Sequence, residues 1–115
     1  MSNNAVRDKS MSFAVRIVRL YQYLSEEKKE YVISKQLLRS GTSIGANVRE
    51  ALQGQSKKDF AAKMSISLKE SVETEYWLEL LYKTDYLNQE EYESIDSDCR
   101  EVSRLLTAIV KSARV

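Results

Sequence analysis

The sequence predicts an all-α protein, folded as an antiparallel up-down-up-down four-helix bundle. Proline is absent from the 115 residues, so nothing in the composition forces a break in a long helix. Apolar residues recur at steps of three and four through four long segments, which is the spacing of one helix face. Short polar breaks join these segments, as in bundles of antiparallel neighbours. We therefore expect a single domain over residues 1–115, with residues 1–7 flexible.

The first two predicted helices share this apolar spacing. Helix 1 is predicted over about residues 8–24. Its apolar face consists of Phe13, Ile17, Leu20 and Leu24, with Ala14, Val18 and Tyr21 beside them. Helix 2 is predicted over about residues 29–53 and ends before Gly54, since glycine accepts the left-handed conformation that often terminates a helix. Its apolar face consists of Ile33, Leu37, Gly41, Ile44, Val48 and Leu52.

The last two predicted helices begin with recognisable capping residues. Helix 3 is predicted over about residues 57–85, after a Ser56 and Asp59 pair that resembles a capping box. Its inner face is predicted to hold Phe60, Met64, Leu68, Val72, Leu78 and Leu81. Helix 4 is predicted over about residues 89–112, with Asn88 as its cap. It carries a heptad seam of Tyr92, Ile95, Cys99, Val102, Leu106 and Ile109.

All three glycines lie in one stretch, LLRSGTSIGANVREALQG. Gly41 and Gly45 are one helical turn apart, so we predict a close helix–helix contact on that face of helix 2. The spacing does not match a phosphate-binding loop or a dinucleotide fingerprint. The letters G-T-S-I-G match the nucleophile elbow, but Ser43 is predicted inside a helix and the chain has no histidine to activate it.

Composition argues against several classes of function. Histidine is absent and Cys99 is the single cysteine, so an internal disulfide and a multi-cysteine metal site are excluded from this sequence. No apolar run approaches the roughly 18–20 residues of a membrane span, and the first residues lack the apolar core of a secretory signal. We therefore expect a cytoplasmic, non-enzymatic protein with no metal, no cofactor and no membrane partner.

A polar network is also predicted where helices 2 and 3 face each other. Buried charge is costly unless it is paired, so polar residues near the apolar faces should satisfy one another. The predicted members of this network are Arg39, Asn47, Glu50, Ser71 and Glu75.

Two segments resemble a known family. LLRSGTSIGANVREA and SVETEYWLELL look like the signatures of the four-helix bundle proteins encoded in 23S rRNA intervening sequences, and the likeness runs from about Phe13 to Ile109. The resemblance implies an up-and-down bundle that assembles into a ring-like homopentamer, and it implies no enzyme. The accessory variability protein of diversity-generating retroelements, which works with a reverse transcriptase and nucleic acid, is similar in fold.

The net charge of +1 hides an uneven distribution. In an antiparallel bundle, the start of helices 1 and 3 and the end of helices 2 and 4 meet at one end. That end is predicted to bind nucleic acid through Arg7, Lys9, Arg49, Lys57, Lys58, Lys63, Lys111 and Arg114. Acidic residues dominate the opposite end: Glu26, Glu27, Glu30, Glu79, Asp85, Glu90, Glu91, Glu93, Asp96 and Asp98. Two alternative interpretations are an ordinary solvated surface and opposite charges that merely promote ordered assembly.

Two hypotheses on function follow. The first is a non-enzymatic, homo-oligomeric adaptor or scaffold that binds RNA or DNA weakly and non-specifically through its basic end. The second is a protein–protein interaction module that recruits a nucleic-acid enzyme, such as a reverse transcriptase, without touching nucleic acid itself. In the second case, the acidic end or a tyrosine surface of Tyr76, Tyr82, Tyr86 and Tyr92 would form the contact.

Overall fold

The computed structural model describes residues 2–113, and over this range the predicted all-α four-helix fold is confirmed. The helices are α1 (Ser2–Glu26), α2 (Ile33–Leu52), α3 (Lys57–Lys83) and α4 (Gln89–Ala113). Helix α1 begins at Ser2 rather than near residue 8, so residues 2–7 are helical, and Val6 is fully buried in the core. Helix α2 begins at Ile33 rather than near residue 29, because a capped turn precedes it.

Each helix packs against two others, in the cycle α1–α2–α3–α4–α1. Across the described range, α1 does not touch α3 and α2 does not touch α4, so these pairs lie on the diagonals of a square. The α2–α3 interface is the most extensive and the α1–α4 interface is the least. The molecule measures 44 × 20 × 19 Å, which places its two ends far apart.

The core runs the length of the bundle and is formed by residues from all four helices. Its largest fully buried side chains include Phe13, Ile17, Leu24, Leu37, Ile44, Met64, Leu78, Leu81 and Leu106. Each such side chain contributes roughly 1.5–3 kcal/mol when it leaves water. The predicted seam of helix 4 is buried at Ile95, Cys99, Val102 and Leu106. Apolar burial therefore holds the four helices together along their whole length.

The inner face of α3 differs from the prediction at its centre. Val72 is 56% exposed, while Ser67, Ser71 and Thr74 are buried. The Ser67 hydroxyl donates a hydrogen bond to the Ile44 carbonyl of α2 at 2.8 Å, and Thr74 Oγ1 lies 2.9 Å from Ser40 Oγ. A hydroxyl that has a partner can be buried at low cost. Apolar periodicity missed this face because its central residues are small and polar.

Close packing between α1 and α2 depends on Gly41. A Cβ atom at Gly41 would lie 2.8 Å from both Cγ atoms of Ile17, which is fully buried in α1. At Gly45 the nearest atom to such a Cβ is the Ser10 carbonyl oxygen at 3.4 Å, which is an ordinary contact. Gly41 is therefore the position at which a side chain is excluded, and Gly45 could accommodate a small one.

The residues that adopt a left-handed backbone conformation after helices are not glycines. Lys29 and Asp85, which follow α1 and α3, have positive φ angles of 56° and 71°. Among the described residues, no glycine has positive φ, so the prediction that Gly54 ends α2 in a left-handed conformation is wrong. Gly54 is needed for space instead, because a Cβ there would lie 2.8 Å from the Asp59 carboxylate and 2.9 Å from the Ala51 carbonyl oxygen.

The carboxylate of Glu30 caps the start of α2. It accepts hydrogen bonds from the backbone N–H groups of Val32, Ile33 and Ser34 at 3.1, 3.0 and 2.7 Å. The Ser34 hydroxyl in turn donates to the Glu30 carbonyl oxygen. Burial of the carboxylate acts to raise its pKa, but these N–H donors outweigh the burial, so the pKa of Glu30 is lowered. The first turn of α2 thus depends on an ionised side chain.

Alanine at the two helical glycines should have opposite effects on stability. Gly41→Ala places a Cβ against Ile17 and should lower the free energy of unfolding by about 1–3 kcal/mol. Gly45→Ala has room for its methyl group and gains helix propensity, so it should raise the free energy of unfolding by up to about 1 kcal/mol. Urea denaturation followed by circular dichroism measures both variants. Equal shifts at the two positions would contradict the contact described here.

Removal of the Glu30 charge should weaken the bundle in a pH-dependent way. Glu30→Gln should lower the free energy of unfolding by about 1–2 kcal/mol near pH 7. Because the folded pKa lies below the ordinary value of 4.5, the carboxylate contribution is complete above that pH and is lost as the pH falls through the lowered pKa. Urea denaturation near pH 7 and near pH 3 should therefore show a smaller difference between variant and wild type in acid.

The exposed Glu27→Gln provides the control for this experiment, since it removes the same charge three residues earlier. It should change stability little at either pH. A Glu30→Gln effect of the same size at both pH values would show that the cap does not depend on ionisation.

Candidate nucleic-acid interface

The fold brings the predicted basic residues to one end of the bundle. The start of α1 carries Arg7 and Lys9, and the end of α2 carries Arg49. The first part of α3 carries Lys57, Lys58 and Lys63, and the last turn of α4 carries Lys111. Arg114 lies outside the described residues. Segments distant in sequence thus contribute positive charge to one surface, which we call the basic end.

Ion pairs neutralise some of these side chains. Arg7 pairs with Asp8 at 3.2 Å, and Lys9 of α1 pairs with Glu101 of α4 at 3.1 Å. Lys63 pairs with Glu50 at 2.9 Å, and this hydrogen bond raises the pKa of Lys63. These three cations are thus already partnered, so they are less available to an anionic ligand.

Four cations of the basic end stay free of such pairs. Within residues 4–113, Arg49, Lys57, Lys58 and Lys111 make no ion pair, and all four are exposed. Lys57 and Lys58 occupy the first turn of α3, where the helix dipole disfavours a cation. The Ser56 hydroxyl caps this turn by accepting a hydrogen bond from the Asp59 N–H at 3.0 Å. Local helix stability therefore does not explain why two lysines stand there.

Sequence reasoning missed a groove between α3 and α4, which extends along α4 from Lys111 at the basic end to Arg100. The groove has a volume of about 400 Å³. It is lined by Glu75, Arg100, Ser103, Arg104, Thr107, Ala108 and Lys111. Arg104 is exposed and, among residues 4–113, forms no ion pair. The signal was present in the sequence, since Arg104 and Lys111 are seven residues apart and so share a helix face.

The predicted polar network is divided into separate contacts. Asn47 donates its side-chain amide to the Ser43 carbonyl oxygen of its own helix at 2.8 Å. Arg39 reaches across to α3 but pairs with Glu70 at 3.2 Å and with Glu73 at 2.6 Å. The Trp77 indole N–H and then Arg39 lower the pKa of Glu73 through hydrogen bonds. The Arg39 partners on α3 are therefore not the predicted Glu75.

Ser71 and Glu75 belong to a second set of contacts, between α3 and α4. The Ser103 hydroxyl lies 2.6 Å from Glu75 Oε2 and 2.9 Å from Ser71 Oγ. Arg100 lies 3.4 Å from Glu75 and 2.7 Å from Asp96, and the hydrogen bond to Asp96 raises the pKa of Arg100. The helical phase of α3 explains the correction: Ser71 and Glu75 face α4, whereas Glu70 and Glu73 face α2.

The acidic end contains a larger groove. It lies between α1 and α4, where the helices pack least closely, and it has a volume of about 610 Å³. Its lining includes Leu20, Tyr23, Leu87, Glu90, Glu91 and Ile95. Arg16 crosses this interface to bind Asp98 at 2.7 Å and the Ser94 carbonyl oxygen at 3.2 Å. The predicted tyrosine surface is split, because Tyr82 and Tyr92 stack on each other at 4.6 Å while Tyr76 is exposed.

Neither Ser43 nor Cys99 is arranged as a catalytic nucleophile. Ser43 lies within α2 and its hydroxyl is bonded to the Arg39 carbonyl oxygen at 2.7 Å. Burial strongly raises the pKa of Cys99, so its thiol is not ionised at neutral pH. Across the described range, no group of three or more potential metal-binding side chains is present. None of the described helices is long and apolar enough to cross a membrane.

The class that fold and surface define is a four-helix bundle with one basic end and one acidic end. A family model described as 23S rRNA-intervening sequence protein matches residues 2–108, and the chain belongs to that family. This confirms the resemblance carried by LLRSGTSIGANVREA. No curated protein matches the chain.

A solved structure supports the same fold. The chain is similar to a crystal structure of a protein of unknown function from the S23 ribosomal protein family of Bacteroides thetaiotaomicron. The two share 60% sequence identity over 96% of this chain and 99% of that one, with a TM-score of 0.95.

Proposed function

We propose that this protein is a non-enzymatic, homo-oligomeric scaffold that binds RNA or DNA through the phosphates at its basic end. The observation that carries the proposal is the group of four exposed cations, Arg49, Lys57, Lys58 and Lys111, that make no ion pair within residues 4–113. Nucleic acids release counterions when lysine and arginine approach their phosphates, and such binding needs no particular base sequence.

The rest of the surface fits a partner recognised by charge alone. Phe60, the aromatic residue closest to Lys57 and Lys58 in sequence, is partly buried against the core. Sequence-tolerant binding to unpaired bases usually needs exposed aromatic side chains, and this residue does not supply one. The acidic end repels phosphate, so nucleic acid would not bind there.

Two exposed apolar stripes support self-association. Met11, Val15 and Val18 form one on α1, and Val72 and Tyr76, which are one turn apart, form the other on α3. Exposed apolar patches of this kind often mark interfaces. The α1 and α3 stripes lie on opposite sides of the bundle, because these helices are diagonal. The α1 stripe of one copy would contact the α3 stripe of the next, and repetition of this contact from copy to copy would close a ring. The pentamer expected from the resemblance would align several basic ends and increase avidity.

Charge reversal at the basic end should abolish most nucleic-acid binding. Lys57→Glu combined with Lys58→Glu should weaken binding of a labelled single-stranded RNA by at least about 10-fold. The slope of the logarithm of the binding constant against the logarithm of the salt concentration should become shallower by about 1.4, because each of the two lost phosphate contacts contributes about 0.7. Gel-shift titrations at several potassium chloride concentrations measure both quantities.

The matched control for this experiment is Lys28→Glu combined with Lys29→Glu. These adjacent lysines are exposed near the acidic end, and their reversal changes the net charge equally. It should reduce binding much less. Wild-type binding that does not weaken as salt rises, or equal losses in the two double variants, would count against a role for the basic end.

Charge placed within the α1 stripe should disrupt assembly. Val15→Lys puts an ammonium group at the centre of the stripe, so the mass measured by light scattering after size exclusion should fall from the oligomer toward the 13.3 kDa of one chain. Ser12→Lys, exposed on the flank of α1, is the control and should leave the oligomer intact. A wild-type protein that is strictly monomeric at micromolar concentration would contradict the proposed assembly.

A protein-binding module is the second candidate, and the groove between α1 and α4 favours it. Apolar residues line this groove, and Arg16, Arg19, Glu90 and Glu91 border it, which would suit a partner segment with apolar residues and charges of both signs. A partner that remains bound after nuclease treatment, and is lost with Glu90→Lys but retained with Lys57→Glu, would favour this candidate over the nucleic-acid scaffold.

A further inference from the structure

We propose that the groove between α3 and α4 binds the sugar–phosphate backbone of a single nucleic-acid strand, with Arg104 and Lys111 as its phosphate contacts. This inference rests on the proposed function and extends it from the basic end to a defined path along the bundle. The groove has a volume of about 400 Å³, and three of its lining residues, Ser103, Thr107 and Ala108, have small side chains. Small residues there leave room for a backbone to approach α4.

The two cations have suitable positions on the groove. Arg104 and Lys111 are seven residues apart on one face of α4, a separation of about 10.5 Å along the helix axis. Both are exposed, and neither makes an ion pair among residues 4–113. An arginine fork and a lysine ammonium group are the side chains that most often bind phosphate oxygens.

One arginine partly offsets the two carboxylates beside the groove. Glu75 lines the groove, but it accepts a hydrogen bond from the Ser103 hydroxyl at 2.6 Å and pairs with Arg100 at 3.4 Å. Arg100 also binds Asp96 at 2.7 Å, so it already pairs with two carboxylates. Arg104 and Lys111 are therefore the cations that remain available to a ligand in this groove.

The groove between α3 and α4 extends to the basic end at Lys111. Lys57 lies eighteen residues before Glu75 on α3, which is five full turns, so both occupy the helix face turned toward α4. A strand that passes Arg104 and Lys111 would reach Lys57 where α3 begins. In the other direction, the acidic residues beyond Arg100 repel phosphate and end the path.

Size favours a single strand over a duplex. The bundle is only 20 × 19 Å across, and this groove occupies the space between two of its four helices. A double helix is stiff, and its major groove alone is about 12 Å wide, so it cannot enter such a space. A single strand is flexible enough to follow it. No aromatic side chain lines the groove, so binding should depend little on base identity.

Fluorescence anisotropy with a labelled oligothymidylate tests the groove. Arg104→Gln and Lys111→Gln should each weaken binding by on the order of 5-fold at low salt and lower the logarithmic salt slope by about 0.7. Ala108→Leu enlarges a side chain that lines the groove without changing charge and should weaken binding several-fold. The controls are Lys69→Gln, an exposed cation on the outer face of α3, and Ala46→Leu, an exposed alanine on α2. Both should bind like wild type.

The outcomes separate this inference from the function on which it rests. If wild type shows no salt-dependent binding, both are overturned. If Lys57→Glu with Lys58→Glu abolishes binding while Arg104→Gln, Lys111→Gln and Ala108→Leu have no effect, the groove is overturned and the basic end remains. A duplex that binds as tightly as the single strand would also contradict a single-strand site in the groove. The same holds if polyglutamate, added at the same concentration of negative charge, displaces the strand.

Discussion

Small side chains at the centre of the bundle set the distance between its helices. Gly41 lets α1 approach α2 because no Cβ atom fits against Ile17, and the buried hydroxyls of Ser67 and Thr74 join α2 to α3 through partners that satisfy them. Larger side chains in this layer would push the helices apart, while unpartnered polar groups would oppose burial. The apolar layers on either side can pack only because this central layer is thin, so every surface described above depends on it.

Helix direction then determines where the charges lie. Because the helices are antiparallel, residues as distant in sequence as Lys9, Arg49 and Lys111 share one end. The capped turns keep the connections short, with Glu30 holding the start of α2 and Ser56 the start of α3. The Ser56 cap lies at the basic end, so it fixes the backbone that carries Lys57 and Lys58 before any ligand arrives.

Periodicity was enough to predict the four helices and their order. It misplaced Val72 because the buried face of α3 is hydroxyl-rich at its centre, and an apolar pattern cannot register polar residues that are buried with partners. Periodicity also could not predict the ion-pair partners of Arg39 and Glu75, since each pair depends on how two helices are rotated about their axes. The groove of Arg104 required knowing which faces of α3 and α4 meet.

The separation of charge between the two ends makes the bundle an electric dipole about as long as its 44 Å axis. End-to-end attraction between such dipoles is strong only when salt is dilute, because the Debye length falls to about 10 Å at 0.1 M. The side-by-side contact proposed for Met11, Val15 and Val18 would be apolar and would resist screening. Ionic strength would therefore act on the two directions of association separately: added salt would weaken end-to-end stacking and leave the proposed lateral contact in place.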